Sequence, residues 1–293
     1  MTAPSLCSAC FCTVAMSLSL SVQLKGMQNA KKVSLALSNR WLNEILNPEL
    51  TAWCRTGSEV GRAAVIVDED SHTKKIIFHP KMLPGAVICD PELTIGLPPH
   101  VTAATGMDAL SHALEAWCAP GFHPMADGIA LEAMRLVRVS LIEATESGES
   151  IEARSQMMAA SLMGATAFQK GLGAMHAIAH PVGARWGAHH GTINAVVMPF
   201  VLEHNRSAIE EKMTVLAAHQ KLDGEGIDAV IDWVRRLRVR LHIPKALGEL
   251  GPSVTDIDTL APEVLADPSA GGNPLPLDNA SVTGLLERCI RGS

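Results

Sequence analysis

The chain has 293 residues, of which 47% are hydrophobic and 18% charged, and it carries a formal net charge of -6. That balance excludes a disordered chain and leaves enough apolar mass for a sizeable core. It also argues against a nucleic-acid binder, which needs a basic face, and 3% aromatic residues with no Tyr offer no base-stacking platform.

Seven Cys, an odd number in a chain this long, make no disulfide framework and read as reduced thiols in a cytoplasmic protein. Cys7 and Cys10 have the spacing of half a zinc site but lack a second pair. The apolar stretch from Cys10 to Leu24 is too short to span a bilayer and lacks a basic start, so neither a membrane nor an export role is expected. A short helix is expected over Asn39 to Leu46. Strands are expected at Ala63–Val67, Lys75–Phe78 and Gly85–Cys89, and Leu97-Pro98-Pro99 ends the extended region. From there the hydrophobic spacing predicts helices over Thr102–Ala119, Met125–Ser147, Ile151–Phe168, Ala174–Trp186, Thr192–His204, Ala208–His219, Gly226–Leu241 and Val282–Arg291. Caps are expected at Thr102, Asp127 and Asn205, a kink at Pro181, and a loop over Ala266–Ala280. The expected organisation is a short α/β region over residues 1–98 followed by an all-helical region over residues 99–293.

The chemistry concentrates in the helical part. Asp108 and His112 stand four residues apart on an otherwise apolar helix, which places both on one face. A buried Asp there needs a cation or a partner. A second helix carries His176 and His180 with the same spacing, and His189-His190-Gly191 follows where the next helix begins. Ordinary core histidines, each satisfied by backbone, are one account of this group. The other gathers Asp108, His112 and two later His around one ion, and three imidazoles with one carboxylate suit Fe(II) or Zn(II). Such an ion acts as a Lewis acid, which serves hydride transfer and hydrolysis equally. A hydrolase or lyase would also want a base, for which Glu115 is the one candidate on the Asp108 helix, although it reads better as a structural hydrogen-bond partner.

Two long segments carry a resemblance. Gly106-Met107-Asp108-Ala109-Leu110-Ser111-His112-Ala113-Leu114-Glu115-Ala116 and Gly173-Ala174-Met175-His176-Ala177-Ile178-Ala179-His180-Pro181-Val182-Gly183, followed by His190-Gly191 and Asn194-Ala195, resemble the two signatures of the iron-containing (group III) alcohol dehydrogenases. Asp90-Pro91-Glu92-Leu93-Thr94, Ile243-Pro244-Lys245-Ala246-Leu247 and Gly272-Asn273-Pro274 match other parts of that family, so the resemblance runs from about Thr56 to the end. It implies a Rossmann-like α/β domain followed by a large all-α domain, the dehydroquinate synthase-like architecture, and hydride transfer between NAD or NADP and an alcohol–aldehyde pair. It also implies metal ligands at Asp108, His112, His176 and His190, with Fe2+ as the first expectation and Zn2+ the second. His180 becomes a proton-relay residue, and Thr56, Gly57, Ser58 and Lys74 become cofactor contacts. The expected partners are thus a small alcohol or aldehyde, with neither nucleic acid nor membrane, and a homo-oligomer is left open.

The sequence departs from the family in its first part. Ala52-Trp53-Cys54-Arg55 stands where the family has Thr-Thr-Ala-Gly, the glycine-rich G-G-G-S-x-x-D segment is absent, and residues 1–50 match nothing in the family's cofactor domain. The expectation is therefore an incomplete, N-terminally truncated or atypical dinucleotide half. A catalytically impaired, metal-binding remnant is the alternative to an active dehydrogenase.

Overall fold

A computed structural model of the chain describes residues 60–61, 63–68, 73–79 and 89–293. The expected Asn39–Leu46 helix, the Cys7/Cys10 pair and residues 85–88 of the third strand lie outside the described residues. Strands β1 (Ala63–Asp68) and β2 (Thr73–Phe78) pair antiparallel, Ala63 opposite Phe78 and Asp68 opposite Thr73. A Rossmann-like sheet is parallel, so this ribbon alone does not amount to one. What the described residues show is a largely helical body.

That body starts at the double proline. Helix α1 runs Pro99–Cys118 and starts three residues earlier than hydrophobic spacing alone suggests, because Pro is preorganised for the first helical position. Thr102 is thus inside the helix, and its hydroxyl accepts from the Arg154 guanidinium at 2.7 Å instead of capping. Every α1 residue from Val101 to Cys118 is buried, as befits a helix with no polar face. Around it lie α2 (Pro124–Glu146), α3 (Ile151–Ala167) and α5 (His190–His204), while α4 (Ala174–Trp186) leans on α5. Helices α6 (Arg206–His219), α7 (Gly226–Arg240), α8 (Ile257–Ala266) and α9 (Asn279–Arg291) complete the body.

Several local expectations change. Helix α2 is capped by His123 Nδ1, which accepts from the Ala126 amide, and Asp127 instead pairs with the ammonium of Lys170 at 2.5 Å. Asn205 does occupy the cap position of α6, but its side chain is spent on Asn273. Helix α4 keeps its expected span, Ala174–Trp186, with Pro181 inside it. Helix α8 is absent from the sequence reading because Pro262 falls inside it and the segment reads as broken. The expected loop over Ala266–Ala280 contains a short 3-10 turn, Pro268–Gly272.

One glycine sets the distance between α1 and α5. A Cβ on Gly191 would lie 2.1 Å from the carbonyl oxygen of Ala104 and 3.0 Å from Asp108 Cβ. Only a residue without a side chain lets α5 approach α1 beside Asp108. Among the described residues no helix is long and apolar enough to cross a membrane.

Candidate metal centre

Three helices converge on one point. Helix α1 supplies Asp108 and His112, α4 supplies His176 and His180, and the first residue of α5 is His190. Ligand atoms of Asp108, His112 and His176 all lie within 4.8 Å of one another. His112 Nε2 is 3.9 Å from Asp108 Oδ2, and His190 Nε2 is 3.6 Å from Asp108 Oδ1. The rings of His112 and His176 stack at 4.8 Å, and His190 stands 5.2 Å from His176. Asp108, His112 and His176 are buried, whereas the His190 side chain is 27% exposed. His190 therefore marks the side of the cluster that faces solvent. The structure gathers all four residues named for the metal.

The protonation states of Asp108 and His112 favour a cation. Burial pushes the Asp108 carboxyl up, but His112, His190 and His176, with a hydrogen bond from Asn194, outweigh it and hold the group well below the usual carboxylate range. Burial takes His112 down to about 4, against the pull of Asp108, so its imidazole is neutral at pH 7. His176 behaves differently. Burial lowers its pKa, but the Glu115 carboxylate raises it further, through charge and a 2.6 Å hydrogen bond to Nδ1. With Nδ1 bound to Glu115, the lone pair of His176 is placed on Nε2, which lies 3.3 Å from Asn194 inside the cluster.

Two residues beyond the four candidate ligands support the geometry. Glu115 accepts from the Met175 amide at 2.7 Å as well as from His176, so both its oxygens are engaged. Glu115 is therefore placed as a structural hydrogen-bond partner, with neither oxygen left over to serve as a base. Asp267, at the foot of the 3-10 turn after α8, bonds His180 Nδ1 at 2.8 Å and accepts from the Ser269 amide. Burial raises its pKa, but the His180 contact and the Ser269 bonds bring it below the ordinary range. No spacing rule reaches Asp267 from His180, since 87 residues separate them.

His180 itself sits at the edge of the cluster, its ring 6.0 Å from His176 and stacked on His190 at 5.4 Å. Thr56, Gly57 and Ser58 lie outside the described residues. Lys74 belongs to β2, opposite Val67, and the backbone of that strand runs beside α4.

The donor set fits a divalent cation. Asp108 Oδ2 is buried without a hydrogen-bond partner, which is costly unless a positive charge meets it, and three imidazoles beside one carboxylate are the ligand chemistry of Fe(II) or Zn(II). A family model described as the C-terminal part of the Fe-containing alcohol dehydrogenase family matches residues 102–290. The chain belongs to that family.

Its similarity to individual members of the Fe-containing alcohol dehydrogenases is broad. It is 41% identical over 245 residues to a 4-hydroxybutyrate dehydrogenase of Cupriavidus necator, covering 80% of this chain and 63% of that protein. It is 37% identical over 235 residues to an NAD-dependent methanol dehydrogenase of Bacillus methanolicus, covering 77% of this chain and 61% of the relative. The structure superposes on a crystal structure of 1,3-propanediol oxidoreductase with a TM-score of 0.77 at 34% identity, covering 80% of this chain and 63% of the other. The chain thus spans somewhat less than two thirds of the length of these relatives.

Proposed function

We propose that the chain takes part in a metal-dependent hydride transfer between an alcohol and its aldehyde, with NAD or NADP as the partner. The observation that carries this reading is the convergence of Asp108, His112 and His176 from two helices to within 4.8 Å, with His190 closing the open side. These four residues hold the cation, Fe2+ by preference and Zn2+ as the alternative. When bound, the cation would polarise the substrate oxygen as a Lewis acid, and the nicotinamide would exchange the hydride.

The chain's own residues prepare the rest. Glu115 fixes the His176 tautomer through Nδ1 and ties the first turn of α4 to α1. Asp267, ionised at neutral pH, accepts a hydrogen bond from Nδ1–H of His180, which holds the proton on Nδ1 and leaves Nε2 as an acceptor. His180 is thereby suited to receive the alcohol proton as a general base and return it in the reverse direction. The buried floor of α1 keeps water from Asp108 and His112, and substrate enters past His190. Residues 99–293 form the metal-binding domain in this reading, and residues 1–98 an atypical α/β region in which Thr56, Gly57, Ser58 and Lys74 meet the cofactor. Cys118 and Cys289 are buried free thiols, which suits the reducing cytoplasm.

The test is metal analysis followed by anaerobic reconstitution with Fe2+ or Zn2+ and a hydride-transfer assay over a panel of small alcohols and aldehydes. The reading requires about one cation per chain. Loss of that cation in His176→Ala and nicotinamide turnover on at least one alcohol complete the expectation. Stoichiometric cation without any NADH or NADPH binding would leave the alternative, a metal-binding member without turnover.

A further inference from the structure

Asn194 lies one turn after His190 on α5, fully buried, and its amino group touches three of the four candidate ligands at once. Nδ2 stands 2.8 Å from Asp108 Oδ1, 3.2 Å from His190 Nε2 and 3.3 Å from His176 Nε2. On the other side of the same amide, Oδ1 is buried without a hydrogen-bond partner. An unmatched buried carbonyl is costly, and turning the amide over would not remove the cost. It would instead aim Oδ1 at the ionised Asp108 carboxylate, acceptor against acceptor. The carboxylate therefore dictates that the amino group faces the ligands.

That contact makes the two oxygens of Asp108 unequal. Oδ1 is engaged by the Asn194 N–H, whereas Oδ2 has no hydrogen-bond partner and lies on the His112 side of the cluster. A carboxylate free at both oxygens can chelate a cation through both; one held at Oδ1 by a donor is biased to offer Oδ2 alone. We propose that Asn194 is a positioning residue of the cation site, holding Asp108 to a single coordinating oxygen and so keeping one coordination position for the substrate oxygen. This rests on the reading of Asp108, His112, His176 and His190 as the ligands. With Asp108 limited to one oxygen the protein contributes four donors; with both it would contribute five, and the substrate would compete with the protein for the ion.

Co2+ is the probe, because its visible spectrum reports coordination number, and azide stands in for a substrate oxygen entering the open position. The full chain loaded with Co2+ shows the band of a four- or five-coordinate ion, and azide shifts it. In Asn194→Leu, which keeps the size of the side chain and removes the donor, Asp108 closes on the ion with both oxygens. The band then weakens, and apparent azide affinity falls by about tenfold or more, in the range typical of lost outer-shell partners. Far-ultraviolet circular dichroism establishes that the variant is folded. Should Asn194→Leu misfold, Asn194→Ala carries the same expectation. A variant that binds Co2+ with the wild-type spectrum and azide response overturns the role of Asn194 and leaves the metal site standing. A wild-type chain that takes up no Co2+ overturns both.

Discussion

The sharpest prediction concerns Glu115→Gln. In the native chain one carboxylate serves two donors, the Met175 amide at 2.7 Å and His176 Nδ1 at 2.6 Å, and both residues are almost wholly buried. A glutamine has the same shape but a single acceptor oxygen. If that oxygen keeps the Met175 amide, the NH2 group faces His176 Nδ1, and two donors meet unless the imidazole moves its proton to Nε2. The proton would then sit where the cation needs a lone pair. Removing the partner of a metal-binding His typically costs about 10- to 100-fold in metal affinity, or about 1.4–2.7 kcal/mol. A forced tautomer change belongs at the upper end. Losing the charged acceptor also removes about 1.5–3 kcal/mol from folding stability. Competition against a chromophoric chelator measures the affinity, and long-range 1H–15N correlation of the imidazole reads the tautomer. An E115Q chain with native affinity for Zn2+ and its His176 proton still on Nδ1 would refute the reasoning.

Three further outcomes are expected. Gly191→Ala gains up to about 1 kcal/mol in helix propensity but forces a Cβ against the Ala104 carbonyl, an overpacking cost of about 1–3 kcal/mol. Urea titration should find it less stable than wild type and weaker in Zn2+ binding, and a more stable variant would show that α5 can shift freely. Cys118 and Cys289 are buried, with the Cys118 thiol pushed up to about 12 and Cys289 raised as well by desolvation, so iodoacetamide at pH 8 should leave both unmodified by peptide mapping until the chain is denatured. The cation-free chain should lose stability as pH falls from 6.5 towards 4. Over that window the unfolded His112 takes up a proton that the folded one, at about 4, refuses. His176 has the opposite sign, stabilising below 6.5 and losing that contribution as pH rises through its raised folded value. His112→Asn should flatten the acid slope of the urea midpoint, and an unchanged slope would place the titration elsewhere.

The legible part of the fold is where spacing and punctuation agree. Helix α4 has the bounds that its apolar pattern and flanking glycines predict, and α1 differs at its proline-led start and by one residue at its end. Helix α8 hides because Pro262 imitates a breaker, although the apolar Ile257, Leu260, Ala261 and Val264 keep helical spacing around it. In the cluster, spacing pairs Asp108 with His112 and His176 with His180, but it cannot say that the two helices meet. That knowledge comes from the family resemblance and from packing. Asn194 was within reach, since it stands four residues after His190 just as His112 follows Asp108. Asp267 was not, because its contact with His180 depends on how the chain returns after α8.

Helix α1 has no wet face along its last eighteen residues, and this has a consequence for how the protein can change. Backbone amides around Asp108 and His112 should exchange with deuterium only when the whole body opens, because no smaller excursion uncovers them. Such a floor is hard to remodel: each substitution there is charged to folding before it can reach chemistry. Sequence change that alters what the site accepts would therefore fall on the rim around His190 and His180, where water already reaches, and leave the floor unaltered.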